Sequence, residues 1–154
     1  LKLPIWKYSF FHIFLTIKSL KEVLTEPIMS ILSGKDKHIV VSKSDFKTRT
    51  MSHVLLQDNT LLKPNSWNIP EPENGISISD KQIEVVFIPL VTFDEKGNRV
   101  GYGKGFYDGF LKNCSKDTIK IGLSFFDAET VIDDVEPHDI PLDFCVTPNK
   151  IYTF

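Results

Sequence analysis

"IEVVFIPLVTF", residues 83–93, is the strongest strand signal in a chain of 154 residues. The segment is apolar on both faces of an extended strand, without the alternation that a half-exposed strand shows. Strands of this kind lie in the centre of parallel sheets, because helices cover both of their faces. The segment therefore predicts a parallel sheet with residues 83–93 near its middle.

Strand and helix signals alternate on both sides of this segment. Further strands are predicted at residues 9–17, 37–42, 51–56 and 118–126, and in the short pieces "FCVTP" and "KIYTF" near the end of the chain. Helices are predicted over residues 19–33 and 105–113. Alternating strands and helices predict one α/β domain, spanning residues 1–154, with a mostly parallel sheet.

Two parts of this pattern are less regular. Pro27 falls inside the first predicted helix, so that helix either begins there, with Thr25 or Glu26 near its cap, or is kinked. Gly34 is placed to end it. Residues 43–50 are polar and predict irregular structure. Residues 57–80, rich in proline, asparagine and serine, predict a long surface loop, and such loops are usually functional.

The composition indicates neither a nucleic-acid nor a membrane partner. The formal net charge is −2, and no basic run is interleaved with aromatic residues. The apolar run at residues 8–17 is too short to span a bilayer, and no small-residue cleavage site follows it. Cys114 and Cys145 are too few for a disulfide framework and lack zinc-site spacing. We therefore expect reduced thiols in a cytoplasmic protein.

The four histidines of the chain are far apart in sequence and have no partner at metal-ligand spacing. They are His12, His38, His53 and His138. We expect them to be ordinary residues unless the fold gathers them.

"GNRVGYGKGFYDGF", residues 97–110, combines closely spaced glycines with charged side chains. Gly101, Gly103 and Gly105 free the backbone so that successive N–H groups can converge on an anion, usually a phosphate. Arg99 offers a planar fork of donors for phosphate oxygens, and Lys104 adds a point charge. The segment follows the central strand and leads into a helix, which is where α/β sheets bind ligands.

The segment matches neither of two common nucleotide-binding fingerprints. Neither Ser nor Thr follows the Gly103–Lys104 pair as a P-loop requires, and the third glycine comes one residue too early for the dinucleotide motif. Glycines also serve tight turns without any ligand. The added charged residues nevertheless favour a phosphate site, and Asp108 is placed to bind Mg²⁺ carried by a nucleotide.

"RVGYGKGFYD", residues 99–108, resembles the signature R-x-G-x-G-x-G-x-Y-D of the 5-formyltetrahydrofolate cyclo-ligase family. Four further segments resemble the family in the same order: "LKEVLTEPI", "NSWNIPEP", "VVFIPLVTFDEKGNR" and "EPHDIPLD". The resemblance covers nearly the whole chain from about residue 8. It implies a three-layer α/β/α sandwich. It also implies ATP- and Mg²⁺-dependent cyclisation of 5-formyltetrahydrofolate to 5,10-methenyltetrahydrofolate, with ADP and phosphate as the other products.

The resemblance implies the site residues position by position. Those implied for ATP are Arg99, Gly101, Tyr102, Gly103, Lys104, Gly105, Phe106 and Tyr107. Those implied for the folate substrate, with or without a polyglutamate tail, are Leu15, Glu22, Met51, Trp67 and Phe106. Asp108 and Asp139 are implied for magnesium.

Plainer interpretations of these residues stay open. Trp67 would also serve to anchor its loop, and Met51 and Leu15 would also serve as core residues. Glu22 would also suit the exposed first turn of a helix. The assignment of Asp139 competes with other late acidic residues, namely Asp133, Asp134 and Asp143.

The sequence departs from the family in two places. Nothing before Tyr8 resembles the family's first helix, whose basic residues contact ATP, so roughly thirty to forty residues of a typical relative are expected to be missing. Residues 42–45 also differ from the family after the second strand. Two alternatives follow: a truncated chain that binds folate or nucleotide without turnover, and a different α/β enzyme for phosphorylated sugars or coenzyme A. The second is disfavoured because "SWNIPEP" and Glu22 have no role there. We expect a monomer or a weak homo-oligomer.

Overall fold

The computed structural model of the chain has three layers, with helices on both faces of one large sheet. It describes residues 3–15, 23–58, 60–65, 70–101, 106–132 and 140–154. The helices in these residues are α1 (Glu26–Gly34) and α2 (Phe106–Asn113), and a 3-10 turn covers Asp80–Gln82. The strands are β1 (Phe10–His12), β2 (His38–Asp45), β3 (Thr50–Leu55), β4 (Leu62–Pro64), β5 (Pro70–Pro72), β6 (Ser77–Ile78), β7 (Val85–Pro89), β8 (Thr92–Phe93), β9 (Arg99–Val100), β10 (Ile119–Leu123), β11 (Phe144–Val146) and β12 (Ile151–Thr153).

The sheet is parallel at its centre and antiparallel at both edges. Its strand order in the described part of the chain is β12-β11-β10-β7-β1-β2-β3-β6. The pairs from β11 to β2 are parallel, and the outer pairs are antiparallel. The predicted α/β class with a mostly parallel sheet is therefore confirmed. The strand order reverses at β1, which has β2 on one side and β7 on the other, and ligands of open α/β sheets bind at such a point.

The central strand predicted from "IEVVFIPLVTF" is present but shorter than the apolar run. Residues 85–88 are buried, and β7 lies between β1 and β10. The strand ends at Pro89, since proline has no amide N–H to continue the ladder. Thr92–Phe93 form β8, which pairs with β9 in a separate hairpin.

The two faces of the sheet carry separate cores. On the first face, α1 packs through Leu32 against side chains that include Phe11, Ile13 and Val85. On the second face, α2 packs through its buried residues against side chains that include Val86. Because successive strand residues point to opposite faces, neighbouring residues of β1 and β7 belong to different cores.

Helix α1 begins later than its predicted start at residue 19. Residues 23–25 are not helical, Thr25 is the N-cap, and Pro27 occupies the first turn. Proline is tolerated there because its missing N–H would have no partner inside the helix. The interpretation in which the helix begins at Pro27 is therefore correct, and the kinked helix is not found. The helix ends at Gly34, but Asp36 adopts the left-handed conformation, with φ 57°.

Residues 43–50, predicted to be irregular, extend a hairpin. β2 continues to Asp45 and pairs with β3 from Thr50 onwards. The turn between them is fixed by the Asp45 carboxylate, which accepts the Lys47 amide proton at 2.9 Å, and by Arg49 at φ 56°. The prediction was wrong because both faces of this extension are partly exposed, so it lacks the apolar pattern of a core strand.

The predicted loop at residues 57–80 contains short strands. β4 and β5 pair with each other, and β6 adds an edge strand to the large sheet beside β3. These pairings were not predicted because strands of two or three residues have no measurable periodicity. Among the described residues, no helix is both long and apolar enough to cross a membrane.

Candidate active site

The carboxyl ends of the parallel strands form one edge of the sheet, which we name the carboxyl edge. Residues 13–15 follow β1 at this edge, and residues 90–101 follow β7. The turn after β2 also lies there, and its Phe46 ring contacts the ring of Phe106 edge-on, with centroids 5.3 Å apart. Helix α2 therefore begins at the carboxyl edge, where the dipole of a helix favours an anion.

An ion pair joins the hairpin β8–β9 to the first turn of α2. Arg99 Nη2 donates to Asp108 Oδ1 at 2.7 Å. The Arg99 side chain is 6% exposed and that of Asp108 is 25% exposed. Asp108 Oδ1 also accepts the Ile140 amide proton at 3.2 Å. Arg99 and Asp108, which are nine positions apart in the glycine segment, are thus in direct contact.

The guanidinium of Arg99 keeps donor capacity beyond this pair. Its Nε is buried and has no hydrogen-bond partner among the described residues. A buried donor without a partner is costly, so such groups usually face a ligand or a water molecule. Gly101 lies close by: a Cβ built on it would be 4.0 Å from Arg99 Nη1.

Asp94 fixes the hairpin that carries Arg99. It is fully buried, and Oδ1 accepts the amide protons of Lys96 and Asn98, both at 2.9 Å. Oδ2 accepts from the Asn98 side chain at 3.0 Å and from the Ile132 amide at 3.2 Å. Burial alone would raise the pKa of Asp94, but the hydrogen bonds led by Asn98 outweigh it and lower the pKa. This role of Asp94 was not predicted from the sequence.

The apolar residues expected around the folate are divided between the two faces. Leu15 is partly buried against the core of the first face, and Met51 is partly buried against that of the second. Phe106 contacts Phe46, which the sequence analysis did not identify. The structure does not place Leu15 and Met51 in one cluster.

Tyr107 lies on the second face above two histidines. Its hydroxyl is 3.4 Å from His12 Nε2, and the ring of His12 meets that of His53 edge-on, with centroids 5.2 Å apart. The fold thus gathers two of the histidines that are separate in sequence. His38, by contrast, is exposed and stacks on Phe10.

The remaining predicted site residues lie outside the described residues. They are Glu22, Trp67, Tyr102, Gly103, Lys104, Gly105 and Asp139. Among the residues that the structure does describe, no three His, Cys, Asp or Glu side chains are grouped as metal ligands. Asp108 is the predicted magnesium residue whose position is given.

These features define an α/β sandwich whose ligand site lies at the carboxyl edge of a parallel sheet. The family model of the 5-formyltetrahydrofolate cyclo-ligase family matches residues 6–148, and the chain belongs to this family. The resemblance and the enzyme class predicted from the sequence are therefore confirmed, and the chain is a folate cyclo-ligase by family.

Individual relatives agree with this assignment. The chain is 32% identical over 142 residues to the 5-formyltetrahydrofolate cyclo-ligase of Mus musculus, covering 85% of this chain and 69% of the relative. It is 37% identical over 125 residues to that of Haemophilus influenzae, covering 79% and 67%. Its structure matches the NMR structure of Aquifex aeolicus 5,10-methenyltetrahydrofolate synthetase with a TM-score of 0.79 and 28% identity, covering 99% of this chain and 75% of that one. A synthetase from Mycoplasma pneumoniae, 22% identical with a TM-score of 0.69, shares the fold.

Proposed function

We propose that the chain catalyses the ATP- and Mg²⁺-dependent cyclisation of 5-formyltetrahydrofolate. The products are 5,10-methenyltetrahydrofolate, ADP and phosphate. Membership of the family supports the folate chemistry. The observation that best supports the use of ATP is the Arg99–Asp108 pair at the start of α2 on the carboxyl edge.

The proposed reaction has two steps. The formyl oxygen attacks the γ-phosphorus of ATP, the bond from that phosphorus to the bridging oxygen breaks, and ADP leaves. N10 then attacks the activated formyl carbon, the carbon–oxygen bond to phosphate breaks, and N10 loses its proton. Phosphoryl transfer of this kind depends on positioning and on neutralising charge more than on covalent help from the protein.

The residues of the chain support the first step through positive charge and backbone donors. Helix α2 begins at the carboxyl edge, and the N-terminus of a helix favours an anion. Arg99 is held beside this N-terminus by Asp108, with its buried Nε available to a phosphate oxygen. We assign residues 101–107 to the same phosphate cradle, since glycine backbone allows a close approach.

Asp108 fits a magnesium ligand by its chemistry. Mg²⁺ prefers oxygen ligands and is usually held by one or two carboxylates together with substrate phosphates. Asp108 offers a partly exposed carboxylate at the start of α2, and Ile140, whose amide contacts it, directly follows Asp139 in the sequence. We propose that Asp108 and Asp139 hold the ion, which would supply positive charge to the phosphate oxygens.

The folate is proposed to occupy the same edge. Leu15 follows β1 at the point where the strand order reverses, and Phe106 opens α2 beside Phe46. Apolar and aromatic side chains suit a flat heterocycle. We propose that Leu15, Met51 and Phe106 line this pocket together with Trp67, and that Glu22 hydrogen-bonds the pterin ring.

The direct test follows the near-ultraviolet absorbance of methenyltetrahydrofolate. Purified chain is mixed with 5-formyltetrahydrofolate and Mg²⁺, with and without ATP, after its folding has been verified by circular dichroism. We expect an absorbance rise that requires ATP and is abolished by a chelator. Folded chain without an ATP-dependent signal would refute catalysis, and tight folate or nucleotide binding in that case would identify the non-catalytic alternative.

A matched pair of variants tests the magnesium residue. Asp108→Asn keeps the size of the side chain but removes the charge, so we expect a higher Mg²⁺ requirement for turnover. Asp117→Asn removes an exposed carboxylate beyond the end of α2 and serves as the control. Equal Mg²⁺ requirements in the two variants would contradict the metal role of Asp108.

We also propose a cytoplasmic location. Cys114 and Cys145 are both free and buried. Burial raises the pKa of each thiol to about 12, so neither thiol ionises readily near neutral pH. Such unpaired, unreactive thiols suit a reducing compartment, and cell fractionation with an antibody to the chain would test this.

A further inference from the structure

Two histidines stand in the core of the second face, where the neighbouring side chains are apolar. His12 lies in β1, where Val40 and Val86 are its register partners on either side. His53 lies in β3, and both histidines are buried almost completely. The ring of Phe110 covers both, with centroids 5.1 Å from His12 and 4.3 Å from His53.

Four side chains form a connected series beneath the first turn of α2, which we name the histidine relay. The Tyr107 hydroxyl lies 3.4 Å from His12 Nε2. The His12 ring meets His53 edge-on at 5.2 Å, and His53 Nδ1 lies 3.1 Å from Asp80 Oδ1 in the 3-10 turn. The series begins at a residue of the glycine signature and ends in the 3-10 turn.

The histidine relay is unfavourable as core packing. His12 Nδ1 and His53 Nε2 are buried without a hydrogen-bond partner among the described residues, while His53 Nδ1 has the contact with Asp80. A buried polar group without a partner lowers stability, and apolar side chains of similar size avoid that loss. A core that keeps polar rings despite this cost is expected where a functional site depends on them.

Burial favours the neutral form of both rings. Burial, followed by the proximity of His53, lowers the pKa of His12 well below its ordinary value. Burial also lowers the pKa of His53, although Asp80 opposes this shift. A neutral imidazole has one acceptor nitrogen and one N–H, so it can hold a hydroxyl in one orientation.

We propose that His12 is a positioning residue for Tyr107. His53 fixes the His12 ring through their edge contact, and Asp80 in turn holds His53. Through its Nε2, His12 holds the Tyr107 hydroxyl and keeps that side chain in one orientation at the nucleotide site. The inference rests on the proposed function, which gives Tyr107 its place beside the phosphates. A separation of 3.4 Å is long for a hydrogen bond, and contacts at active sites often tighten when substrate binds.

A double-mutant cycle tests the connection between His12 and Tyr107. The variants are His12→Leu, Tyr107→Phe and the double variant, assayed for kcat and for the KM of ATP. We expect each single change to lower kcat/KM for ATP on the order of tenfold, and the double variant to be no worse than either. If the loss of kcat/KM in the double variant equalled the product of the two single losses, the proposal would be overturned. A residue that only packs would lower kcat/KM by the same factor whether or not the tyrosine hydroxyl is present.

Two controls separate positioning from packing. Val40→Ala leaves a cavity beside His12 in the same core, so we expect lower stability but unchanged kcat/KM per folded molecule. When it is combined with Tyr107→Phe, kcat/KM should fall only by the factor that Tyr107→Phe causes alone. His12→Gln places an amide near the position of Nε2, so we expect it to recover part of the activity that His12→Leu loses. His12→Leu itself should fold, since it removes a buried nitrogen that lacks a partner.

A spectroscopic readout is independent of turnover. In the full chain labelled with ¹⁵N, replacing Tyr107 by Phe should move the imidazole nitrogen resonance of His12 Nε2. An unmoved resonance would overturn the proposal, whatever the kinetics show. An unaltered chain without ATP-dependent turnover would instead refute the proposed function, and the resonance would then decide the His12–Tyr107 contact separately.

Discussion

The two faces of the central sheet differ in what they contain. In β1, Phe11 points into the first core and the adjacent His12 points into the second. Among the described residues, both buried histidines lie in the second core, below the helix that begins at the candidate site. One strand thus contributes packing on one side and a polar group on the other.

The two helices differ in the same way. The Thr25 hydroxyl at the cap of α1 donates to the Phe14 carbonyl at 2.8 Å, which joins the helix to the chain after β1. The first turn of α2 instead presents Asp108 to Arg99. We infer that the first face mainly stabilises the fold and that the second face carries the nucleotide part of the site. Four predictions test this division, in order of decreasing expected effect.

Truncation on the first face should affect stability alone. Leu32 is fully buried in the last turn of α1, away from the carboxyl edge, so Leu32→Ala should lower the free energy of unfolding by about 2–5 kcal/mol. Denaturant unfolding measures this loss, and Ser33→Ala, at the exposed next position, is the control. A changed KM for ATP or folate in the folded variant would contradict the division.

Loss of the guanidinium on the site side should affect activity. Arg99→Ala removes a positioned donor, so we expect kcat/KM for ATP to fall about 100- to 1000-fold. Arg99→Lys keeps the charge but loses the planar fork, and it should recover only part of the rate.

Lys96→Ala removes an exposed cation from the same hairpin and should leave kcat/KM nearly unchanged. Steady-state kinetics on variants of verified folding measures all three. If Arg99→Ala and Lys96→Ala behaved alike, the guanidinium would have no special role.

Overpacking of the second core should have a smaller effect. A Cβ on Gly122 would lie 2.6 Å from Leu90 Cδ2 and 2.9 Å from Leu142 Cδ1. Gly122→Ala should therefore lower the free energy of unfolding by about 1–3 kcal/mol. Gly109 has open space around its Cβ position in α2, so Gly109→Ala should instead raise stability by about 0.5–1 kcal/mol. Thermal unfolding of both variants checks the opposite signs.

The histidine relay should make stability depend on pH. Around His12, the titratable groups are Tyr107 from α2 and His53 from β3, and Asp80 follows behind His53. Both histidine pKa values are lowered in the folded state, so the unfolded chain takes up protons first as the pH falls below about 6.5. The stabilisation is complete above that pH and decreases towards the lower folded pKa values.

The slope of this loss should approach about 1.4 kcal/mol per pH unit for each histidine. Urea unfolding of the unaltered chain and of His12→Leu, at about pH 7.5 and about pH 5.5, measures it. The variant should lose less stability between the two conditions. Identical losses would show that His12 does not titrate with unfolding.

The sequence predicted the centre of the fold better than its edges. The apolar run that contains β7 was identified correctly, because burial on both faces leaves a signal in the sequence itself. The polar extension of β2 was missed, since its pairing with β3 requires no apolar pattern. The role of Asp94 was also missed, since its contact with Ile132 joins residues far apart in the chain.

The candidate site shows the same limit. The glycine segment indicated Arg99 and Asp108 through their chemistry and spacing, and the structure adds that the buried Arg99 guanidinium pairs with the partly exposed Asp108 carboxylate. Nothing in the sequence distinguished His12 and His53 from ordinary histidines. Their proximity depends on β2, which lies between their two strands and holds them side by side.

The amino-acid sequence alone determined the α/β class, the central strand and the family, because apolar runs and a glycine signature are local properties of the chain. Only the tertiary structure decided which charges are paired and which polar groups are buried together. Those outcomes depend on strand order and on which face of the sheet each residue meets. Local sequence does not encode them, since a residue's partners across the sheet are separated from it by tens of positions.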